Sequence, residues 1–255
     1  MRSWILAAVC SIAAAGALPA AAAEMTADQR KAIESVVESY LLRHPEVIER
    51  ALEALEARRE AAKESAAQAA IEKYRGDLFD KPATPVGGNV DGDVTVAEFF
   101  DYRCGVCRRV HPIVDELVAS DGKIRRVYIE WPILGPESVF AARAALASRH
   151  QGGAKYLRFH DLMMESRGRL DRGKVLALAE KAGLDRRRLE RDLGKPDIAR
   201  IINRNYAIAD ALSLNGTPSF VIGGKVIRGG RDLETMRRLV ADAREAAEGG
   251  RTEAR

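Results

Sequence analysis

The stretch Val94-Thr95-Val96-Ala97-Glu98-Phe99-Phe100-Asp101-Tyr102-Arg103-Cys104-Gly105-Val106-Cys107 decides the fold. Its first seven residues are apolar on both alternating faces apart from Thr95 and Glu98, as expected of a strand in a sheet covered by helices on each side. The C-x-x-C follows at once. It opens a segment with Val110, Ile113, Val114, Leu117 and Val118 at helical spacing. Strand, C-x-x-C and helix in that order place Cys104 at a helix N-terminus, where unsatisfied amides and the positive end of the helix dipole favour an anion. A free cysteine ionises near ~8.5, and such a position lowers that value. Cys104 is therefore expected to be the attacking thiolate. Cys107, one turn further in and shielded, is expected to resolve a mixed disulfide.

Arg103, Arg108, Arg109 and His111 surround the pair. They either lower the thiol pKa further or are solvated charges, which solvent and salt screen. Glu98 shares a strand face with Val94, Val96 and Phe100. A carboxylate buried there is costly and has a raised pKa, suiting a group that exchanges a proton with a deep thiol. The alternative is an edge strand whose glutamate reaches water.

Towards the C-terminus, Ile124 to Trp131 reads as a second strand of mixed polarity, and Glu137 to Leu214 is helical, punctuated by Gly152-Gly153, Gly168 and Pro196. Gly216-Thr217-Pro218 leads into a strand over Ser219 to Ile222, Gly223-Gly224 is a hairpin turn, and Lys225 to Arg228 returns. Asp232 caps a last helix before a polar tail at 248–255. The order predicts an α/β fold of thioredoxin type over 94–247, with a helical insertion at 137–214.

Towards the N-terminus, residues 76–93 are broken by Pro82, Pro85, Gly87, Gly88 and Gly92 and read as a linker. Thr26 to Tyr74 is helical almost throughout. Thr26 and Gln29 fit a capping box, and His44-Pro45 marks an interruption. Ile33, Val36, Val37, Tyr40 and Leu41, then Val47, Ile48, Ala51, Leu52 and Leu55, form apolar stripes that thin to Ala62, Ala66, Ala69 and Ile71. The second helix would be about 45 Å long. So thin a stripe on so long a helix predicts that 24–75 is a projecting arm or an oligomer contact. Arg2, the apolar run from Trp4 to Ala15, Pro19 and Ala21-Ala22-Ala23 make residues 1–23 an export signal cut after about Ala23, too short in its apolar part for a membrane span.

Lysine and arginine number 41 against 37 acidic residues, a net of +4. The balance excludes a nucleic-acid footprint. Of the three cysteines, Cys10 leaves with the signal, so the exported chain keeps only the C-x-x-C. A bridge across two residues closes almost no loop and contributes little as a structural staple. The pair is kept for reactivity.

The run Phe99 to Arg109 together with Thr217-Pro218-Ser219-Phe220-Val221-Ile222 resembles the bacterial DsbA-like thiol–disulfide oxidoreductases, over Val94 to about Ala247. The resemblance implies a cis Thr217–Pro218 bond lying against Cys104. It also implies that Glu98 is the buried acid found six positions before the first active-site cysteine. Two departures matter: Gly105-Val106 stands where the strongly oxidising members carry Pro-His, and threonine before the cis proline is more like the isomerases and reductases. A less depressed Cys104 pKa and a less oxidising pair are expected. Tyr40 to Ile48 is similar to the N-terminal segment of ScsC-type proteins, in which such arms can assemble trimers that shuffle wrong disulfides. The expected partners are exported substrate proteins with thiols or disulfides, a membrane redox partner, and further copies of the chain through residues 24–75. No cofactor, resident metal or nucleic acid is expected. An oxidase stays open, as does a thiol protein holding copper or zinc, although only His111 lies near as a further ligand. A structural adaptor with inert cysteines is the third reading.

Overall fold

Thr26 Oγ accepts a hydrogen bond from the Gln29 amide at 3.2 Å, and Gln29 Oε1 accepts one from the Thr26 amide at 2.9 Å. This capping box starts α1 (Ala27–Arg43), which ends at His44 before Pro45 allows α2 (Glu46–Lys73) to begin. The computed structural model describes residues 25–80 and 83–253; the export signal expected over 1–23 lies outside them. The chain forms two units, one ending at Arg58 and one beginning at Arg59. In the first, no residue of α1 is buried, and Ile33, Val36, Val37, Tyr40, Ile48, Leu52 and Leu55 all remain exposed.

The second unit opens with the last turns of α2, and here the sequence reading of the stripe needs correction. Ala62, Ala66 and Ala69 are exposed, while Ala67, Ala70 and Ile71 are buried and continue through Tyr74 to Leu78. Alanines supply no bulk to fix the helix phase, so the buried side is set by what Ile71, Tyr74 and Leu78 reach. They reach the sheet, packing with Ala97, Phe99, Val127 and Trp131.

That sheet has five strands: β1 (Val86–Gly88), β2 (Val94–Phe100), β3 (Ile124–Glu130), β4 (Ser219–Ile222) and β5 (Lys225–Arg228), in the order β1-β3-β2-β4-β5. β2 and β3 are parallel, with Glu98 opposite Tyr128; the other pairs are antiparallel. β1 lies within 76–93, where the sequence offered no strand signal. It is three residues long, and Gly88 sits at φ +66°, where an added Cβ would lie 2.5 Å from the Ile124 carbonyl oxygen.

β2 is buried on both sides, as its apolar run requires. Val94 and Val96 pack with Val110, Val114 and Leu117 of α3 (Gly105–Asp121) and with Met236 and Val240 of α9 (Leu233–Glu253). Ala97 and Phe99 face the other way, against the end of α2 and Ile208 and Ala209 of α8 (Pro196–Ala211). The insertion supplies α4 (Pro136–Ser148), α5 (Gly153–Met164), α6 (Arg172–Lys181), α7 (Arg186–Asp192) and α8, and its core joins Phe100, Tyr102, Cys104 and Cys107. The α/β architecture with an insertion and an N-terminal helical arm is that expected. Among the described residues, no helix is long and apolar enough to cross a membrane.

Candidate active site

β2 ends at Phe100, and after three intervening residues the chain turns into α3 with Cys104 as the capping residue, its backbone extended at φ −71°, ψ 115°. Asp101 makes the turn. Its carboxylate is buried and accepts from the Arg103 amide at 2.7 Å, Ser138 Oγ at 2.8 Å and the Leu134 amide at 3.0 Å, while its carbonyl accepts from the Cys104 amide at 3.0 Å. One side chain thus joins the loop before the cysteines to the loop after β3 and to α4. The sequence reading gave Asp101 no role; acidic residues are common in such turns, and its distant partners, Leu134 and Ser138, lie over 30 positions away.

Cys104 is 9% exposed and Cys107 fully buried; both are free thiols. Cys104 Sγ accepts from the Cys107 amide at 3.4 Å, and its thiol donates to the Thr217 carbonyl at 3.3 Å. Hydrogen bonding from Cys107, then from Thr217 and the Cys107 and Val106 amides, holds the Cys104 pKa at about 5 against the opposing effect of burial. Cys107 moves the other way. The Cys104 sulfur it faces, and then burial, push its thiol far above the ordinary range. The Thr217–Pro218 bond is cis, and β4 begins at the next residue. The structure therefore brings Cys104, Cys107 and Thr217–Pro218 together.

Glu98 is 1% exposed, so the edge-strand alternative fails. The sequence reading did not foresee its partner. Arg126 of β3 donates to Glu98 Oε2 from Nη2 at 2.8 Å and from Nε at 3.2 Å, and to Asp115 Oδ1 of α3 at 2.5 Å. Burial opposes the Arg126 charge, but Glu98 and then the neighbouring acidic groups more than offset it and raise its pKa. Glu98 Oε1 is left buried without a hydrogen-bond partner.

Two of the cations flanking the pair also brace the surrounding loops. Arg108 donates to the Tyr102 carbonyl at 2.7 Å and the Ser166 carbonyl at 3.1 Å, tying the active-site loop to the end of α5. Arg103 donates to the Leu134 carbonyl at 2.6 Å and pairs with Glu137 at 3.1 Å. His111 is buried, and burial pulls its pKa to about 4, so it is uncharged at neutral pH. Beneath it lies a polar network absent from the sequence reading. Tyr102 and Tyr156 hydroxyls donate to Glu130 Oε1 at 2.9 and 3.0 Å, and Tyr102 Oη lies 3.0 Å from His160 Nδ1. Burial pushes the Glu130 carboxyl well up, and it lifts Asp161 to about 6, with Asp115 adding to the second shift.

The family described as Thioredoxin matches residues 80–242, and the N-terminal domain of the copper resistance protein ScsC matches residues 29–62. A thioredoxin-like oxidoreductase from Silicibacter pomeroyi DSS-3 is 46% identical, with a TM-score of 0.65 over 67% of this chain and 98% of that one. The thiol-disulfide exchange protein alpha-DsbA2 from Wolbachia pipientis is 28% identical, with a TM-score of 0.66 over 71% of this chain and 97% of that one. A curated relative, the Na(+)/H(+) antiporter NhaA 3 of Salinispora tropica, is 32% identical over 65% of this chain but only 26% of its own length. The chain thus spans about a quarter of the first curated relatives it matches.

Proposed function

The chain belongs to the thioredoxin family, and from that premise we propose that it is an exported thiol–disulfide oxidoreductase working through Cys104 and Cys107. The carrying observation is the asymmetry of the two sulfurs: Cys104 capping α3 with its pKa at about 5, and Cys107 buried and pushed up. The Cys104 thiolate attacks one sulfur of a substrate disulfide. That S–S bond breaks, the other substrate sulfur leaves as thiolate, and a mixed disulfide forms. Cys107 then gives up its proton and attacks Cys104 Sγ, releasing the second substrate thiol; the pair is oxidised and the substrate reduced. Run backwards, the same steps oxidise a substrate. If the released substrate thiolate instead attacks a different disulfide of the same protein, the thiolate so freed attacks the substrate sulfur of the mixed disulfide and Cys104 leaves as thiolate; the bonds are rearranged with no net electron transfer.

Glu98 is the proposed proton acceptor for Cys107 through its unpartnered Oε1, with Arg126 holding Oε2. Thr217 and Pro218 form the wall against which substrate backbone lies beside Cys104. Gly105-Val106 in place of Pro-His, Thr217 before the proline, and a thiol at about 5 rather than the ~3.5 of the strong oxidant DsbA all favour a reductase or isomerase. Residues 24–75 are proposed to join copies of the chain, a reading supported by the ScsC match and by the exposed apolar side chains of the first unit. Periplasmic export rests on residues 1–23.

Trapping tests the exchange role. Cys107→Ser should accumulate mixed disulfides with exported proteins, while Cys104→Ser captures none. Capture by neither, or equally by both, contradicts the assignment. Equilibration of the wild-type pair with glutathione then fixes its direction: a potential below that of DsbA supports the reductase or isomerase reading, and one at or above it makes the protein an oxidase.

A further inference from the structure

We propose that His111, His160 and Asp161 form a binding site for a divalent transition-metal ion of zinc type, joining the cysteine-bearing helix to the helical insertion. His111 lies on α3, four residues and one turn beyond Cys107; His160 and Asp161 lie on α5. One ligand atom from each falls within 4.8 Å of the others. Ligands at ~2.0–2.2 Å around a tetrahedral ion sit about 3.4 Å apart, so a modest contraction closes the set. Asp161, whose side chain is 47% exposed, is the member free to move inward.

Hydrogen bonding fixes the donor atoms. The single Tyr102 hydroxyl proton goes to Glu130 Oε1, so at 3.0 Å from that hydroxyl His160 Nδ1 must carry the ring proton. His160 Nε2 is then a bare lone pair, and it is fully buried with no hydrogen-bond partner. Such a group ordinarily costs free energy unless something fills its coordination. The Glu130–Tyr102–His160 chain is the kind of outer shell that orients an imidazole towards a metal. His111 is 2% exposed and also makes no hydrogen bond from either ring nitrogen. Its Nε2 lies 3.2 Å from Asp115 Oδ2 and 3.6 Å from Asp161 Oδ1. Asp115 Oδ2 or a water completes four ligands.

Charge agrees with a divalent ion. Arg126 is the cation nearby, and formal charges on Glu98, Asp115 and Asp161 leave an excess of two negatives. Two imidazoles and a carboxylate select zinc, copper(II), nickel or cobalt over magnesium and calcium, which take oxygen ligands. The other two histidines are engaged elsewhere: His44 with Glu46, and His150 with Asp192 and Asp197.

The test uses the exported full chain carrying Cys104→Ser and Cys107→Ser, which removes the thiolates as competing ligands. Titration with Zn²⁺ should give one ion per chain and a raised thermal midpoint, Mg²⁺ should give neither, and Co²⁺ should show the visible bands of a tetrahedral site. Asp161→Asn, at a half-exposed position that tolerates change, and His160→Gln should each weaken Zn²⁺ binding at least 10-fold. Lack of stoichiometric binding overturns the proposal. So does binding left unchanged by Asp161→Asn, or binding lost only with His44→Ala or His150→Ala.

Discussion

At the scale of single residues, two sulfurs three positions apart experience opposite environments, and the consequence is a pH dependence with a definite sign. Cys104 titrates at about 5 in the folded dithiol form and near ~8.5 in an unfolded chain. A depressed pKa contributes stability that is fully present above the unfolded value and lost as pH falls through the folded one. The reduced protein should therefore gain stability over the oxidised protein, which has no such thiol, between pH ~5 and ~8.5, by at most about 1.4 kcal/mol per unit. Denaturant unfolding of both forms across that range checks it, and a difference independent of pH contradicts it. Asp101 anchors the same loop. Asp101→Ala strands one buried donor, Ser138, and two part-buried amides, and should lose roughly 2–4 kcal/mol in urea unfolding, whereas a loss under ~0.5 kcal/mol would mean that water replaces the carboxylate. Glu98→Gln should slow release of the mixed disulfide while leaving its formation unchanged; stopped-flow reduction of a model disulfide separates the two steps. The cysteines, Glu98 and Pro218 were legible because each is a residue type with a fixed place relative to a strand or helix end. Arg126 and His111 were not. Arginine in a strand and histidine among arginines both read as surface until residues from β2, α3 and α5 close around them.

Among the elements, β2, α3 and β4 follow from the sequence because a strand buried on both faces and a helix with a full apolar stripe have few other ways to hide those surfaces, and β5 follows from the Gly223-Gly224 turn before it. β1 has no such signal, since two of its three residues are glycine and its place is set by pairing with β3. The buried side of α2 was misplaced for a related reason: alanine has good helix propensity but little surface to bury. The division of α2 predicts two kinds of mutant. Ile71→Ala, in the core with Ala97 and Phe99, should destabilise the second unit by about 2–4 kcal/mol in thermal or urea unfolding. Leu52→Ala, 60% exposed, should change that unit's unfolding by less than ~0.5 kcal/mol and act only on association between copies.

For the whole molecule, the thiol pair and the N-terminal segment make separable contributions. Removing residues 24–58 should leave the second unit folded and still reactive at Cys104, because its core is complete from Arg59 onward. If copies join through the segment, sedimentation should then show the exported chain as an oligomer and the shortened chain as a monomer, with disulfide shuffling lost and simple reduction kept. All of this depends on Cys104 being a thiolate at the start of α3. Alkylation of the reduced protein with iodoacetamide against pH, read by mass spectrometry at each cysteine, tests that most directly. The account predicts a rate at Cys104 that rises with a midpoint near pH 5, with Cys107 unmodified throughout. A midpoint near the ~8.5 of a free cysteine, or equal labelling of both, would contradict it.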